Sequence, residues 1–324
     1  MKRIGYFLSC EEYTPAQIVE QARLAGEAGF DALWISDHFH PWTDEQGESG
    51  LVWSLIGAIS QVCDLPVTTA VTCPTVRIHP AIIAQAAATS ACLLGPGRFT
   101  LGVGSGEALN EHILGTVWPT ADVRLEMLEE SIDIIRQLWT GEVVSHRGTH
   151  YTVDTARIYS LPDELPQIHV SAFGPKALEL AGRVGDGLIT TMPDKESVAT
   201  FRKAKGASAP TQAGFKVAWN TDREAAIDDV YRIWPTAGVP GELSQVLPSP
   251  KHFEQAAELV TRDMIAEKGA GAFGADIDEH VKAFADFVDA GFDDIHVANI
   301  GPNYAEMIEA YGKEVLPELR RKHG

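Results

Sequence analysis

Asp37-His38-Phe39-His40-Pro41-Trp42 places a carboxylate, two imidazoles and an indole within six residues, directly after the apolar run Ala32-Leu33-Trp34-Ile35. The run reads as a buried strand and the cluster as the loop leaving it, which is where a scaffold usually presents its chemistry. A surface turn closed by proline needs none of these groups, whereas a proton-transfer residue beside a large aromatic wall suits general acid–base work. A second cluster runs from Gly102-Val103-Gly104-Ser105-Gly106 into Glu107-Ala108-Leu109-Asn110-Glu111-His112. Its alternate glycines allow close backbone approach and leave N–H groups free for a phosphate or an anionic ring edge. Glu107 is read as an acid beside that turn, with His38 as the proton acceptor facing the same cavity.

Three other uses of these residues fit less well. The glycine spacing is GxGxG and no ribose-binding acid follows about 20 residues on, so the dinucleotide fingerprint is absent. His38, His40, Glu107 and His112 could be metal ligands, but they lack HExxH or a paired-histidine spacing, and no metal is expected. Gly104-Ser105-Gly106 does not make the GxSxG nucleophile elbow.

The elements that must position these residues follow from the apolar pattern. Eight short apolar runs read as strands, at 3–7, 32–35, 66–71, 99–103, 168–171, 187–190, 215–219 and 294–297. Eight strands alternating with helices close a (β/α)8 TIM barrel, whose active site lies at the strand C-termini. Helical signals separate most of the runs: Thr14-Pro15 to Gly29, Leu51 to Val62, His79-Pro80 to Leu94, Val123 to Trp139, 222–234, 276–290 and a closing helix at 303–321. Thr14 before Pro15 has the form of an N-cap, and Gly29 that of a helix end. Segments 140–166 and 235–275 are too long for ordinary connections and read as insertions on a single barrel domain spanning 1–324. Such insertions commonly build substrate pockets.

Composition bounds the partners. The 324 residues carry a net charge of −19, with no cluster of Lys or Arg, which argues against nucleic acid and against an anionic membrane. No run is long enough to span a bilayer, and the N-terminal apolar stretch is too short for a signal peptide. Cys10, Cys63, Cys73 and Cys92 show no CxxC spacing and read as reduced thiols of a cytoplasmic protein.

Three stretches carry a family resemblance: Ser36-Asp37-His38-Phe39-His40-Pro41-Trp42, then Thr72-Cys73-Pro74-Thr75-Val76-Arg77 with Pro80-Ala81-Ile82-Ile83-Ala84-Gln85, then Gly104 through Glu111. In this order they resemble the coenzyme F420-dependent oxidoreductases of the luciferase-like superfamily. The likeness extends to F420-dependent glucose-6-phosphate dehydrogenases and secondary alcohol dehydrogenases, and it runs from the first strand to the closing helix. It implies a homodimeric barrel that holds the deazaflavin at the strand C-termini. It makes His38 the base or transition-state stabiliser, places Trp42 beside the developing charge, and makes Glu107 the acid near the deazaflavin N1. Asp37 would orient the cofactor ring, and Ala70-Val71 matches a non-prolyl cis peptide beneath it. Gly104, Ser105 and Asn110, with Ser171-Ala172-Phe173-Gly174 and Thr190-Thr191, correspond to the phosphate and ribityl site.

For the substrate, the resemblance points to Glu11 and Trp234. The family's sugar-phosphate enzymes use three cations, and the matching positions here are Asp194, Ser244 and Lys268. Lys268 keeps the charge, and Lys195 or Lys251 could supply a second. The expected activity is hydride transfer from a sugar phosphate or other secondary alcohol to C5 of F420. The rival expectations are an alcohol dehydrogenase or ketone reductase without phosphate recognition, an FMN-dependent luciferase-type monooxygenase, and a non-catalytic cofactor carrier.

Overall fold

The computed structural model describes residues 1–239 and 241–323; residue 240, inside the second expected insertion, lies outside the described residues. Its strands are β1 (Arg3–Leu8), β2 (Ala32–Ile35), β3 (Val67–Thr69), β4 (Phe99–Val103), β5 (Val144–Arg147), β6 (Thr152–Ala156), β7 (Gln167–Ser171), β8 (Gly187–Thr190), β9 (Thr211–Val217) and β10 (Asp294–Asn299). Eight of them close a parallel barrel in the order β1-β10-β9-β8-β7-β4-β3-β2, while β5 and β6 form a separate antiparallel pair. The barrel is the (β/α)8 architecture that the apolar runs predict.

Strands buried on both faces read as continuous apolar runs. β2 is the plainest case, with all four residues buried. Inside the barrel Phe7, Trp34, Ile189 and Ala298 pack with Ala70 and Val71. The Trp34 indole donates to Gln212 Oε1 at 2.6 Å and stacks on His296 at 4.5 Å. β3 and β4 approach so closely that a Cβ on Gly102 would lie 1.8 Å from the Thr69 carbonyl oxygen, a position only glycine can fill.

Local chemistry sets the helix ends. Thr14 and Gln17 form a capping box at the start of helix Pro15–Ala28, and Gly29 closes it with φ at 89°. The expected strand at 215–219 is corrected to Thr211–Val217. Its first half, Thr211-Gln212-Ala213-Gly214, is polar or small, yet it is fully buried because Gln212 is satisfied inside the barrel. The expected helix 276–290 is two helices, Ile277–Lys282 and Ala285–Ala290.

The segment at 140–166 carries the β5–β6 hairpin, held by Glu130, which accepts the backbone N–H groups of Thr149, His150 and Tyr151. The segment at 235–275 contains a 3-10 turn, Pro235–Gly238, and the helices Leu243–Val246, Pro250–Ala257 and Arg262–Lys268. It returns to the barrel where Phe273 bridges Ala218 just beyond β9.

Candidate active site

β1 and β2 end side by side at the mouth, with β4 one strand further round beyond β3, and the residues that follow these three strands converge on His38. Its Nε2 lies 3.2 Å from Glu11 Oε1, at the end of β1, and 3.9 Å from Glu107 Oε1, beyond β4. Its Nδ1 lies 3.1 Å from the His40 carbonyl and 3.0 Å from Asn110 Nδ2. Asn110 is oriented by the N–H groups of Phe39 and His40, which donate to its Oδ1 at 2.8 and 3.1 Å. Its amide nitrogen therefore faces His38 and also donates to Glu107. Either tautomer of His38 finds partners. With Nδ1 protonated, the ring donates to the His40 carbonyl and Nε2 is free to take a proton. With Nδ1 accepting from Asn110, Nε2 carries the proton.

Glu11 is the buried carboxylate of this group, and its Oε2 accepts from the Ser36 hydroxyl at 2.7 Å. Burial alone would raise its pKa, but His38, Lys216 and the Ser36 hydrogen bond outweigh it, so Glu11 is held below the usual carboxylate range. It is thus the standing negative charge against His38 Nε2. Trp42 covers the imidazole, with ring centroids 5.1 Å apart, and Phe253 from the second insertion packs edge-on against Trp42 at 5.0 Å. That aromatic wall ties the insertion to the loop after β2, and Phe253 is a member of it that sequence reasoning missed.

A second group lies beside the first. Lys216, on β9, donates to Ser9 Oγ at 2.7 Å and sits over the rings of Trp234 at 3.9 Å and Phe7 at 4.6 Å. Burial lowers its pKa, against the opposing pull of Glu11 and Glu12. Trp234 donates to Glu12 Oε2 at 2.9 Å, and burial pushes the Glu12 carboxyl up to about 7. Sequence reasoning also missed Lys216. The available signal was a charged residue inside a buried strand, where an unpaired charge is costly.

Asp37 is held within the chain: the Arg77 guanidinium reaches Oδ1 at 2.9 Å and the Thr72 hydroxyl donates to Oδ2 at 2.7 Å. The same arginine lies beside Glu111, whose carboxyl is pushed up to about 7 by burial and takes the Arg77 N–H at 2.6 Å. Ala70-Val71 is a cis peptide bond, at the position the resemblance implies. Gly104 packs directly against it, since a Cβ there would lie 2.7 Å from Val71 Cγ2, so the turn and the Ala70-Val71 backbone can meet only because residue 104 is glycine. Ser105 is half-buried in the same turn.

At the ends of β7 and β8, Ser171 and Ala172 lead to an uncovered Phe173, 60% exposed, and Thr190 and Thr191 lead to Met192, 56% exposed. Helix Pro175–Val184 starts at Gly174 with no side-chain cap, and a Cβ on Gly174 would meet nothing within 4 Å. An uncapped helix N-terminus beside glycine suits a phosphate, and a flat apolar ledge suits a ring system. These residues fit a phosphate-bearing deazaflavin.

The expected phosphate-binding positions sit on four separate helices. Asp194 caps helix Lys195–Lys205, accepting from the N–H groups of Glu196 and Ser197, and Lys195 is exposed beside it. Ser244 is half-buried in helix Leu243–Val246, which packs near Glu107 through the contact of Gln245 with Arg124 at 2.8 Å. Lys251 and Lys268 are exposed. None of these three lysines makes an ion pair or a side-chain hydrogen bond among the described residues.

A parallel barrel whose strand ends gather a histidine, two carboxylates and a glycine turn defines an enzyme of the βα-barrel class. The model for the family "Luciferase-like monooxygenase" matches residues 3–294. The chain is 34% identical to the F420-dependent glucose-6-phosphate dehydrogenase of Microbacterium testaceum, over 99% of this chain and 98% of that protein. It is 35% identical to the enzyme of the same name from Nakamurella multipartita, over 98% and 96%. Among solved structures, an F420-dependent secondary alcohol dehydrogenase in complex with an F420-acetone adduct superposes with a TM-score of 0.89 at 32% identity, covering 99% of this chain and 100% of that one. The chain belongs to the luciferase-like family.

Proposed function

We propose that this protein is an F420-dependent dehydrogenase that moves a hydride between the carbinol carbon of an alcohol and C5 of the deazaflavin. The substrate class is a sugar phosphate or another secondary alcohol. The observation that carries this reading is His38 Nε2 placed between the Glu11 and Glu107 carboxylates under an aromatic wall. The uncapped helix at Gly174, where a Cβ would meet nothing within 4 Å, offers room for the cofactor phosphate, and the close-packed glycine turn and Ala70-Val71 offer backbone for its ring. Bound F420 supplies the hydride acceptor.

The chain's residues handle the proton. In oxidation the substrate hydroxyl gives its proton to His38 Nε2. The resulting imidazolium keeps its Nδ1–H on the His40 carbonyl and its Nε2–H on Glu11. In reduction His38 returns that proton to the oxygen. Glu107, held by Asn110, stands as the acid on the cofactor side. Asp37, neutralised by Arg77, acts on the ring through the loop it anchors, and Ser105 with Gly104 lines the phosphate and ribityl path, as do Ser171, Ala172, Phe173, Gly174, Thr190 and Thr191. Asn110 takes part by orienting His38. Trp42, Trp234 and Glu11 enclose the substrate. Lys268 with Lys195 or Lys251, and Ser244, would be the groups to meet a substrate phosphate.

The whole chain acts as one barrel unit with two insertions. A second copy would pack on the face where Leu51, just before helix Val52–Ile59, and Ile82 and Leu93, in helix Pro80–Leu94, stand exposed. The free thiols Cys10, Cys63, Cys73 and Cys92 support a cytoplasmic setting. No helix among the described residues is long and apolar enough to cross a membrane.

Spectral titration tests the cofactor assignment. A tight complex with F420 and none with FMN is expected, followed by bleaching of the bound F420 on adding an alcohol. FMN binding in preference to F420 would favour the monooxygenase reading, and F420 binding without turnover on any alcohol would favour a carrier.

A further inference from the structure

Lys216 is the one charged side chain that β9 sends into the barrel mouth. Its neighbour Phe215 points outward, packing on Phe284 and Phe287 at 4.9 and 5.2 Å, and alternation turns Lys216 inward toward Phe7 and Trp234. An ammonium has three N–H donors. Among the described residues Lys216 has one oxygen partner, Ser9 Oγ, and no carboxylate within ion-pair distance, so donors remain that aromatic faces meet only as a cation–π contact. The residue keeps partial exposure, and the uncovered side of an inward-facing residue at the strand end is the mouth. Glu11 couples Lys216 electrically to the His38 site, because both groups hold the same carboxylate ionised.

The charge around it decides what it can recognise. Glu11, held ionised, acts on Lys216, and Glu107 stands across from His38, so the local balance does not favour a dianion. A hydroxyl oxygen needs one donor and carries no charge to be repelled. Resting on the dehydrogenase reading above, we propose that Lys216 is a specificity-determining residue that hydrogen-bonds a second, neutral hydroxyl on a carbon near the reacting one. The substrate is then a vicinal diol or polyol-like alcohol whose recognition at this end involves no phosphate. Ser9 fixes the ammonium, and Trp234, held by Glu12, forms the floor beneath it.

The test compares substrates that differ by one group, using the F420-loaded wild type, Lys216→Met and Lys216→Arg. For 1,2-propanediol against 2-propanol, the wild type is expected to prefer the diol in kcat/KM by about 10–100-fold, the worth of one hydrogen bond to a charged donor. Lys216→Met should erase that ratio mainly through KM, and Lys216→Arg should restore part of it. A ratio near one in the wild type, or equal loss for both alcohols in Lys216→Met, overturns the proposal, since a merely structural counter-ion would not discriminate. For glucose against glucose-6-phosphate, no phosphate preference that depends on Lys216 is expected. A phosphate preference lost in Lys216→Met would show that Lys216 reads an anion. Failure of the wild type to bind F420 at all would overturn the dehydrogenase reading and this proposal with it, whereas the ratios overturn only the proposal.

Discussion

Glu11→Gln isolates the charge against which His38 works. Gln keeps the shape and an acceptor for the Ser36 hydroxyl, while removing a negative charge 3.2 Å from Nε2. At that distance Coulomb's law with an effective dielectric constant near 20 gives about 5 kcal/mol, which is an upper bound because the same burial that strengthens the attraction also costs desolvation. A hydrogen bond to a charged partner contributes a net of about 1.5–3 kcal/mol. Alcohol oxidation must place a proton on His38 as the hydride leaves, so this loss falls on the barrier and lowers kcat by about 10–100-fold. The assay is steady-state bleaching of F420 by a saturating alcohol, with F420 affinity measured separately by titration. A kcat within twofold of wild type with only KM raised would refute the proton role and leave Glu11 as a substrate contact alone.

His38→Ala should lose most turnover, about 10²–10⁴-fold, while F420 affinity stays within a modest factor, checked by the same pair of assays. Gly104→Ala puts a Cβ 2.7 Å from Val71 Cγ2, so it should weaken F420 binding at least tenfold and lower Tm by the effect of about 1–3 kcal/mol of overpacking. Unchanged F420 affinity would remove this turn from the cofactor site. Glu12 and Glu111 both have carboxyls pushed up to about 7 by burial. The fold favours their protonated form, so their contribution to stability is complete below about pH 4.5 and is lost as pH rises through 7. Infrared spectra should show a protonated carboxyl band at pH 5.5 that disappears by pH 8 and is reduced by Glu12→Gln and by Glu111→Gln; no band at pH 5.5 would contradict the burial argument.

Much of the barrel was readable because parallel strands covered on both faces cannot hide their apolar character, and because the Thr14-Gln17 box and Gly29 mark helix ends by hydrogen-bond demand. The start of β9 was not readable, since Thr211 and Gln212 are polar residues satisfied only by partners distant in sequence, Asp293 and Trp34. The β5–β6 hairpin escaped for a related reason: only Val144 and Val153 are buried in the pair, too few apolar residues to show an alternation. At the site, the His38 and Glu107 clusters announced themselves by residue type. Their joining through Asn110, which spans from the β4 turn to the β2 loop, is a tertiary fact. Phe253 and Lys216 each look ordinary along the chain. One is an aromatic in a surface helix and the other a lysine between Phe215 and Val217, and only the folded contacts with Trp42 and Trp234 give them a role.

The central claim, hydride transfer from a carbinol carbon, is tested most directly by isotope transfer. The F420-loaded protein is supplied with 2-propanol, 1,2-propanediol and glucose deuterated at the carbon to be oxidised, and the reduced cofactor is examined by mass spectrometry. Reduced F420 carrying one deuterium from at least one of these alcohols is expected, with the transfer abolished in His38→Ala. Reduced F420 free of deuterium, formed at the wild-type rate, would contradict the claim.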